Sequence, residues 1–152
     1  MMNNKLRIEK KNIYTIEVND NGDTIEFDLE DIELPLKLNE AFMSVDRITN
    51  SLKQKEIAIS KKEVIKKGIM TNVEEERIKA YRDAFKEMRK AMDCFLGKGA
   101  CQKIFGNRNY PDMYDDLFEQ LQPHLEKMKI KSENIAKKIE EKYSNSDKKV
   151  LK

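Results

Sequence analysis

The sequence predicts an α+β fold that is mostly helical, with an N-terminal β-hairpin packed on a body of four or five helices. Three observations carry this. Two short runs near the N-terminus alternate apolar and polar residues around an Asn/Asp/Gly segment, which is a hairpin pattern. Most of the remaining chain repeats its apolar residues at intervals of three and four, the helical spacing. Charged residues make up 38% of the chain, with only 5 Gly and 3 Pro. That composition suits long solvated helices and excludes a sandwich or barrel built on many turns.

Residues 1–12 are polar and are expected to be flexible. Residues 13–34 form the hairpin: Tyr14, Ile16 and Val18 alternate on one strand, and Ile25, Phe27 and Leu29 on the other. A lone hairpin is marginal in water. This one must either pack on the helices or pair with another copy of the chain. Pro35 ends the extended region. Leu38, Ala41, Phe42, Val45, Ile48, Leu52 and Ile59 then predict a long helix from Leu36 to about Lys67, with Asn39 as its N-cap and Gly68 as its stop. Asn72 is expected to cap a second helix with Glu74, Glu75 and Glu76 in its first turn, where the helix dipole favours anions. The stripe of that helix is Ile78, Tyr81, Phe85, Met88, Met92 and Phe95. The short connection predicts an antiparallel pair.

Gly97 and Gly99 interrupt the helices, and Ala100 to Phe105 allow one or two helical turns closed by Gly106. Pro111 suits the first position of the next helix, whose stripe is Met113, Leu117, Phe118, Leu121, Leu125 and Met128. Pro123 is expected to kink or break it near Gln122, and a final helix is expected from Ser132 to Tyr143. Residues 35–143 thus make one helical domain, a single globular unit with the hairpin. Residues 144–152 are expected to be a disordered basic tail.

Charge and motifs exclude several functions. The net charge of +2 does not fit a dedicated nucleic-acid binder. It is unevenly spread, however: residues 19–34 hold seven acids and no base, and residues 129–152 hold eight lysines against four acids. The acidic stretch is either a solvated face or a site for a basic partner. No apolar run reaches the length of a membrane span, and the N-terminus lacks an apolar signal core, so a cytoplasmic protein is expected. His124 is the sole histidine and has no second ligand at metal spacing; a surface or half-buried helical histidine is expected. Cys94 and Cys101 form neither a disulfide framework nor a zinc pattern. Gly97-Lys98-Gly99-Ala100 lacks the order of a phosphate loop and is read as a helix end and tight turn. Asp112, Asp115, Asp116 and Glu119 are read as a solvated acidic face. No catalytic, cofactor-binding or metal-binding residue is expected, and no enzymatic activity.

One stretch stands apart. Cys101, Ile104, Phe105, Tyr110, Met113, Tyr114, Leu117 and Phe118 crowd apolar and aromatic groups into a short segment interrupted by glycine and proline. Two readings stay open: the segment closes the core at one end, or it presents a surface that receives a partner's helix. On the second reading the contact residues are Ile104, Phe105, Tyr110, Tyr114 and Phe118.

The segment from Met92 through Cys101-Gln102-Lys103-Ile104-Phe105-Gly106, continuing to Asn109-Tyr110 and Met113-Tyr114-Asp115-Asp116-Leu117-Phe118, resembles a group of small tail-assembly chaperones. These are encoded by tailed phages and prophages of low-GC Gram-positive bacteria. A strand pair with an acidic second strand before a helical body is also similar to that group. The resemblance implies a non-enzymatic chaperone of the host bacterial cytoplasm that is absent from the finished virion. It implies the tape measure protein as partner, with the tail tube protein as a second one, and leaves open a frameshifted longer form. The rival reading is a helical regulatory or nucleic-acid-associated protein acting through its basic tail. A homo-oligomer held by hairpin pairing is a further expectation.

Overall fold

The computed structural model describes residues 4–150; beyond Lys129 it describes the side chains of Glu133, Lys137 and residues 140–142. The order is β1 (Ile13–Glu17), β2 (Thr24–Asp28), α1 (Leu34–Ser60), β3 (Lys66–Lys67), β4 (Met70–Thr71), α2 (Asn72–Leu96), α3 (Ala100–Phe105) and α4 (Met113–Val150). The α+β class, with its hairpin and four-helix body, is as the sequence predicts. Residues 4–12 have no regular structure and are exposed.

β1 and β2 pair antiparallel, with Tyr14 opposite Phe27 and Ile16 opposite Ile25. The period-two pattern therefore works as a sidedness device. Ile25, Phe27 and Leu29 are buried, and Tyr14, Ile16 and Val18 pack on the same core. Phe27 meets Phe95 of α2 with ring centroids 5.0 Å apart. Burying a phenyl ring of this kind contributes about 1.5–3 kcal/mol. Of the two fates open to the hairpin, the structure shows packing on the helices. Its connecting loop is organised by Asn19, whose Oδ1 accepts from the N–H groups of Asn21 and Asp23. The Asn19 amide also donates to the Lys103 carbonyl of α3 at 3.0 Å. Gly22 takes the left-handed conformation, φ +84°, that this loop requires.

α1 and α2 form the antiparallel pair. The Tyr81 hydroxyl near the start of α2 donates to Glu56 near the end of α1, at 2.6 Å. Ala41, Val45, Ile48 and Leu52 of α1 and Phe85, Met88, Met92 and Phe95 of α2 fill the core between them. Three expectations need correction here. α1 begins at Leu34 with Pro35 in its first turn, so Asn39 lies inside the helix. Pro is accepted there because first-turn N–H groups have no intrahelical partner. α1 ends at Ser60, because no apolar residue after Ile59 continues the buried stripe. Ile78 of α2 is 58% exposed and is not part of the core.

The link between the helices is a tiny hairpin, β3–β4, turning at Gly68. Asn72 locks it: its Oδ1 accepts from the Ile65 N–H at 2.7 Å and its Nδ2 donates to the Glu63 carbonyl at 3.0 Å. The N-cap of α2 is therefore Thr71, whose hydroxyl accepts from the Glu74 N–H. A side chain already committed to the preceding loop cannot also cap the helix.

α3 closes the end of the bundle, and α4 returns along it. α4 starts at Met113, two residues after Pro111, and runs unbroken through Pro123 to Val150. The expected break at Gln122 and the separate final helix do not occur. Pro123 and Glu119 are exposed, so water can satisfy the carbonyl that proline leaves without a donor. Leu117 and Leu121 before it, and Met128 after it, anchor both halves in one core. The helix also takes in residues 144–150 of the stretch expected to be a disordered tail; Leu151 and Lys152 lie outside the described residues.

Candidate protein-binding surface

The five residues singled out from sequence divide into two groups. Tyr114 belongs to the core, 6% exposed. Ile104, Phe105, Tyr110 and Phe118 are half-buried and pack against that core. Phe105 sits edge-on to both Tyr110 and Tyr114, with centroids 6.2 and 5.8 Å away. At this end the segment closes the bundle.

What holds it closed is Arg89 of α2, which the sequence does not mark. Its Nε donates to Asn109 Oδ1 at 2.9 Å, its Nη1 to the Gly106 carbonyl at 2.9 Å and its Nη2 to the Arg108 carbonyl at 2.8 Å. The guanidinium also lies 5.8 Å from the Phe105 ring centroid. The planar fork of arginine suits three fixed acceptors at once. Arg108 in turn lies 4.7 Å from the Tyr110 ring centroid.

Under this clamp lies a buried polar corner. The Cys101 N–H donates to Asp93 Oδ1 at 2.9 Å. Burial, then the hydrogen bond with Asp93, push the Cys101 thiol up to about 12. The Tyr114 hydroxyl is buried without a hydrogen-bond partner, and desolvation pushes its pKa up as well. A thiol so protonated is a poor nucleophile. Cys94 is exposed.

Phe118 points to a different place. It stacks edge-on with Phe42 of α1 at 5.3 Å, and both line an open groove of about 390 Å³ between α1, α2 and the start of α4. Tyr81, Phe85, Met88 and the ring of Tyr114 form the wall and floor, and Asp46, Lys53, Glu56 and Asp115 the polar rim. Phe42 is 55% exposed although it sits among core positions of the α1 stripe. The hydrogen bond to Glu56 raises the Tyr81 pKa by favouring the neutral donor. Sequence periodicity placed Phe42, Tyr81 and Phe85 on helix faces; only the approach of α4 makes them one groove.

His124 is half-buried and bonded to Tyr14. Among the described residues no group of three or more His, Cys, Asp or Glu side chains is placed to hold a metal ion. No described helix is long and apolar enough to cross a membrane. Several acids of the 19–34 stretch are engaged locally: Asp23 accepts from Asn19, Asp28 from the Glu30 N–H, and Asp31 from Lys37 at 2.8 Å. Glu26, Glu30 and Glu33 are exposed.

Fold and surface together define a small α+β protein with a helical body and an open aromatic groove. A model described as "Family of unknown function (DUF6673)" matches residues 21–150, and the chain belongs to that family. No curated protein and no solved structure matches it.

Proposed function

We propose that this protein is a non-enzymatic tail-assembly chaperone that holds amphipathic helices of a tape measure protein soluble during assembly of the tail tube. The reading joins the resemblance carried by residues 92–118 to one observation, the groove walled by Phe42, Tyr81, Phe85 and Phe118. An amphipathic helix docks its apolar face into such a groove through residues spaced three and four apart. Aromatic walls supply contact area, and Met88 adds a side chain that adapts to varied apolar partners. The high surface charge keeps a chaperone–client complex in solution. On this reading the protein acts in the bacterial cytoplasm and is left out of the finished virion, and the tail tube protein is a second contact.

The test is co-expression with a helical tape measure fragment encoded in the same genome. The wild-type protein should bring the fragment into the soluble fraction and co-purify with it. Phe42→Ser should leave the melting temperature nearly unchanged and weaken binding by about 2 kcal/mol, as loss of an interface anchor does. A fragment that stays insoluble beside the folded wild-type protein overturns the proposal.

A further inference from the structure

A second groove lies further along α4, past Phe118 and beside the start of α1. It is the larger one, about 650 Å³, and is lined mainly by Leu34, Pro35, Leu38, Phe95, Leu125 and Met128. Ile32 and Leu36 nearby in sequence are exposed, at 80% and 53%. Within the lining Leu34, Phe95 and Met128 are buried, Leu38 and Leu125 half-buried and Pro35 exposed, so a helix entering the groove meets a mainly apolar surface. Charge around it is predominantly acidic. Glu126 and Glu133 line the groove with Lys129, exposed Glu30 and Glu33 immediately precede it, and Lys37 is already paired with Asp31.

The chain carries a segment of matching character. Along α4, Phe118, Leu121, Leu125, Met128, Ser132, Ile135 and Ile139 follow one another at alternating intervals of three and four. That is a heptad seam sustained over three heptads, the sequence mark of a helix that packs against another. Leu121 and Met128 use the first half of the seam inside their own core. Ile135 and Ile139 carry the same register onward in the C-terminal half. Lys129, Lys131 and Lys138 occupy the positions flanking it. Two such helices would repel each other along their flanks, so direct pairing of one α4 with another is disfavoured. An acid-rimmed apolar groove has the opposite sign. The segment cannot enter the groove of its own chain, because it continues, unbroken, the helix that forms one wall.

We propose that the groove between the start of α1 and the middle of α4 receives the C-terminal half of α4 from a second copy of the chain. The exchange is reciprocal: each copy offers one groove and one basic heptad segment, as a two-fold interface requires. The inference does not rest on the chaperone reading, and its test uses the purified protein alone.

Sedimentation equilibrium of the full chain should show a dimer at micromolar concentration, with a dissociation constant that rises with salt. Two charge-reversal pairs locate the contact: Glu33→Lys with Glu126→Lys, and Lys131→Glu with Lys138→Glu. Each pair should weaken the dimer about tenfold or more, and combining them should restore it to within about threefold, because opposite charges then face each other again. Far-UV circular dichroism checks that each variant is folded, and the salt dependence of the wild-type dimer provides a second measurement should one be unfolded. A monomer throughout the micromolar range overturns the proposal. So does a salt-independent dimer, or a dimer indifferent to both pairs. A monomer that instead binds a basic amphipathic peptide in the groove also overturns it, in favour of a foreign helix.

Discussion

The Tyr14 hydroxyl lies 2.7 Å from Nδ1 of His124, joining strand β1 to helix α4 across 110 residues of sequence. The two rings meet edge-on at 5.7 Å. In the tautomer protonated at Nε2, the hydroxyl donates to Nδ1. The contact is half-buried and falls one residue after Pro123, where α4 has lost a backbone hydrogen bond. Tyr14→Phe and His124→Ala should each destabilise the fold by about 1 kcal/mol, with a coupling energy of about 0.5–1.5 kcal/mol in a double-mutant cycle. Additive effects would show that the bond contributes nothing to holding the hairpin on α4.

Arg89 organises the loop from Gly106 to Asn109 through three hydrogen bonds. Arg89→Lys keeps the charge and loses the fork. It should cost about 1.5–3 kcal/mol and speed amide exchange in residues 106–112 before any other segment. Uniform acceleration across the helices would contradict a local clamp.

Tyr114 buries a hydroxyl that has no partner. Tyr114→Phe removes the unsatisfied group and keeps the ring, so the midpoint of thermal unfolding should hold or rise, by up to about 1 kcal/mol of stability. Tyr114→Ala should instead cost about 3–5 kcal/mol through the cavity it leaves. A Phe variant markedly less stable than wild type would mean that the hydroxyl is hydrogen-bonded in solution.

The two thiols should differ in reactivity. A thiol reagent at about pH 8 should label Cys94 rapidly and Cys101 only on unfolding, since the thiolate is the reactive form and burial holds Cys101 protonated. Equal labelling rates in the native protein would show that the α2–α3 corner opens readily.

Stability should also fall in alkali. Above the ordinary thiol value of 9.0, Cys101 of the unfolded chain ionises while the folded one stays neutral up to about 12. The folded state then holds the extra proton, so this contribution is intact below pH 9.0 and declines as pH rises through that window, by up to about 1.4 kcal/mol per pH unit. Tyr114, raised by its own desolvation, acts in the same direction. Urea midpoints measured across the range should show the decline, and Cys101→Ala should shallow it. A variant with the wild-type slope would assign the effect elsewhere.

Local patterns determined much of this protein. Alternation around Asn19 and Gly22 specified the hairpin and its inner face, because side chains alternate across a strand and a one-residue slip would expose Phe27. The spacing of Phe85, Met88, Met92 and Phe95 specified α2, because that spacing places them along one helix face. What neighbours decide was not legible. Asn72 and Thr71 are both competent caps, and only the path of the preceding loop assigns Asn72 to the Glu63 and Ile65 backbone and Thr71 to the helix. Pro123 reads as a break from sequence, yet core contacts on both sides and solvent on its own keep α4 continuous. Tyr114 and Phe118 are one turn apart on the same helix and both line the groove, but Tyr114 is buried against Phe105 while Phe118 is half-buried and meets the exposed Phe42. Periodicity records which face of a helix is apolar; whether another element covers it depends on how α1, α2 and α4 converge, and that is settled only by tertiary packing.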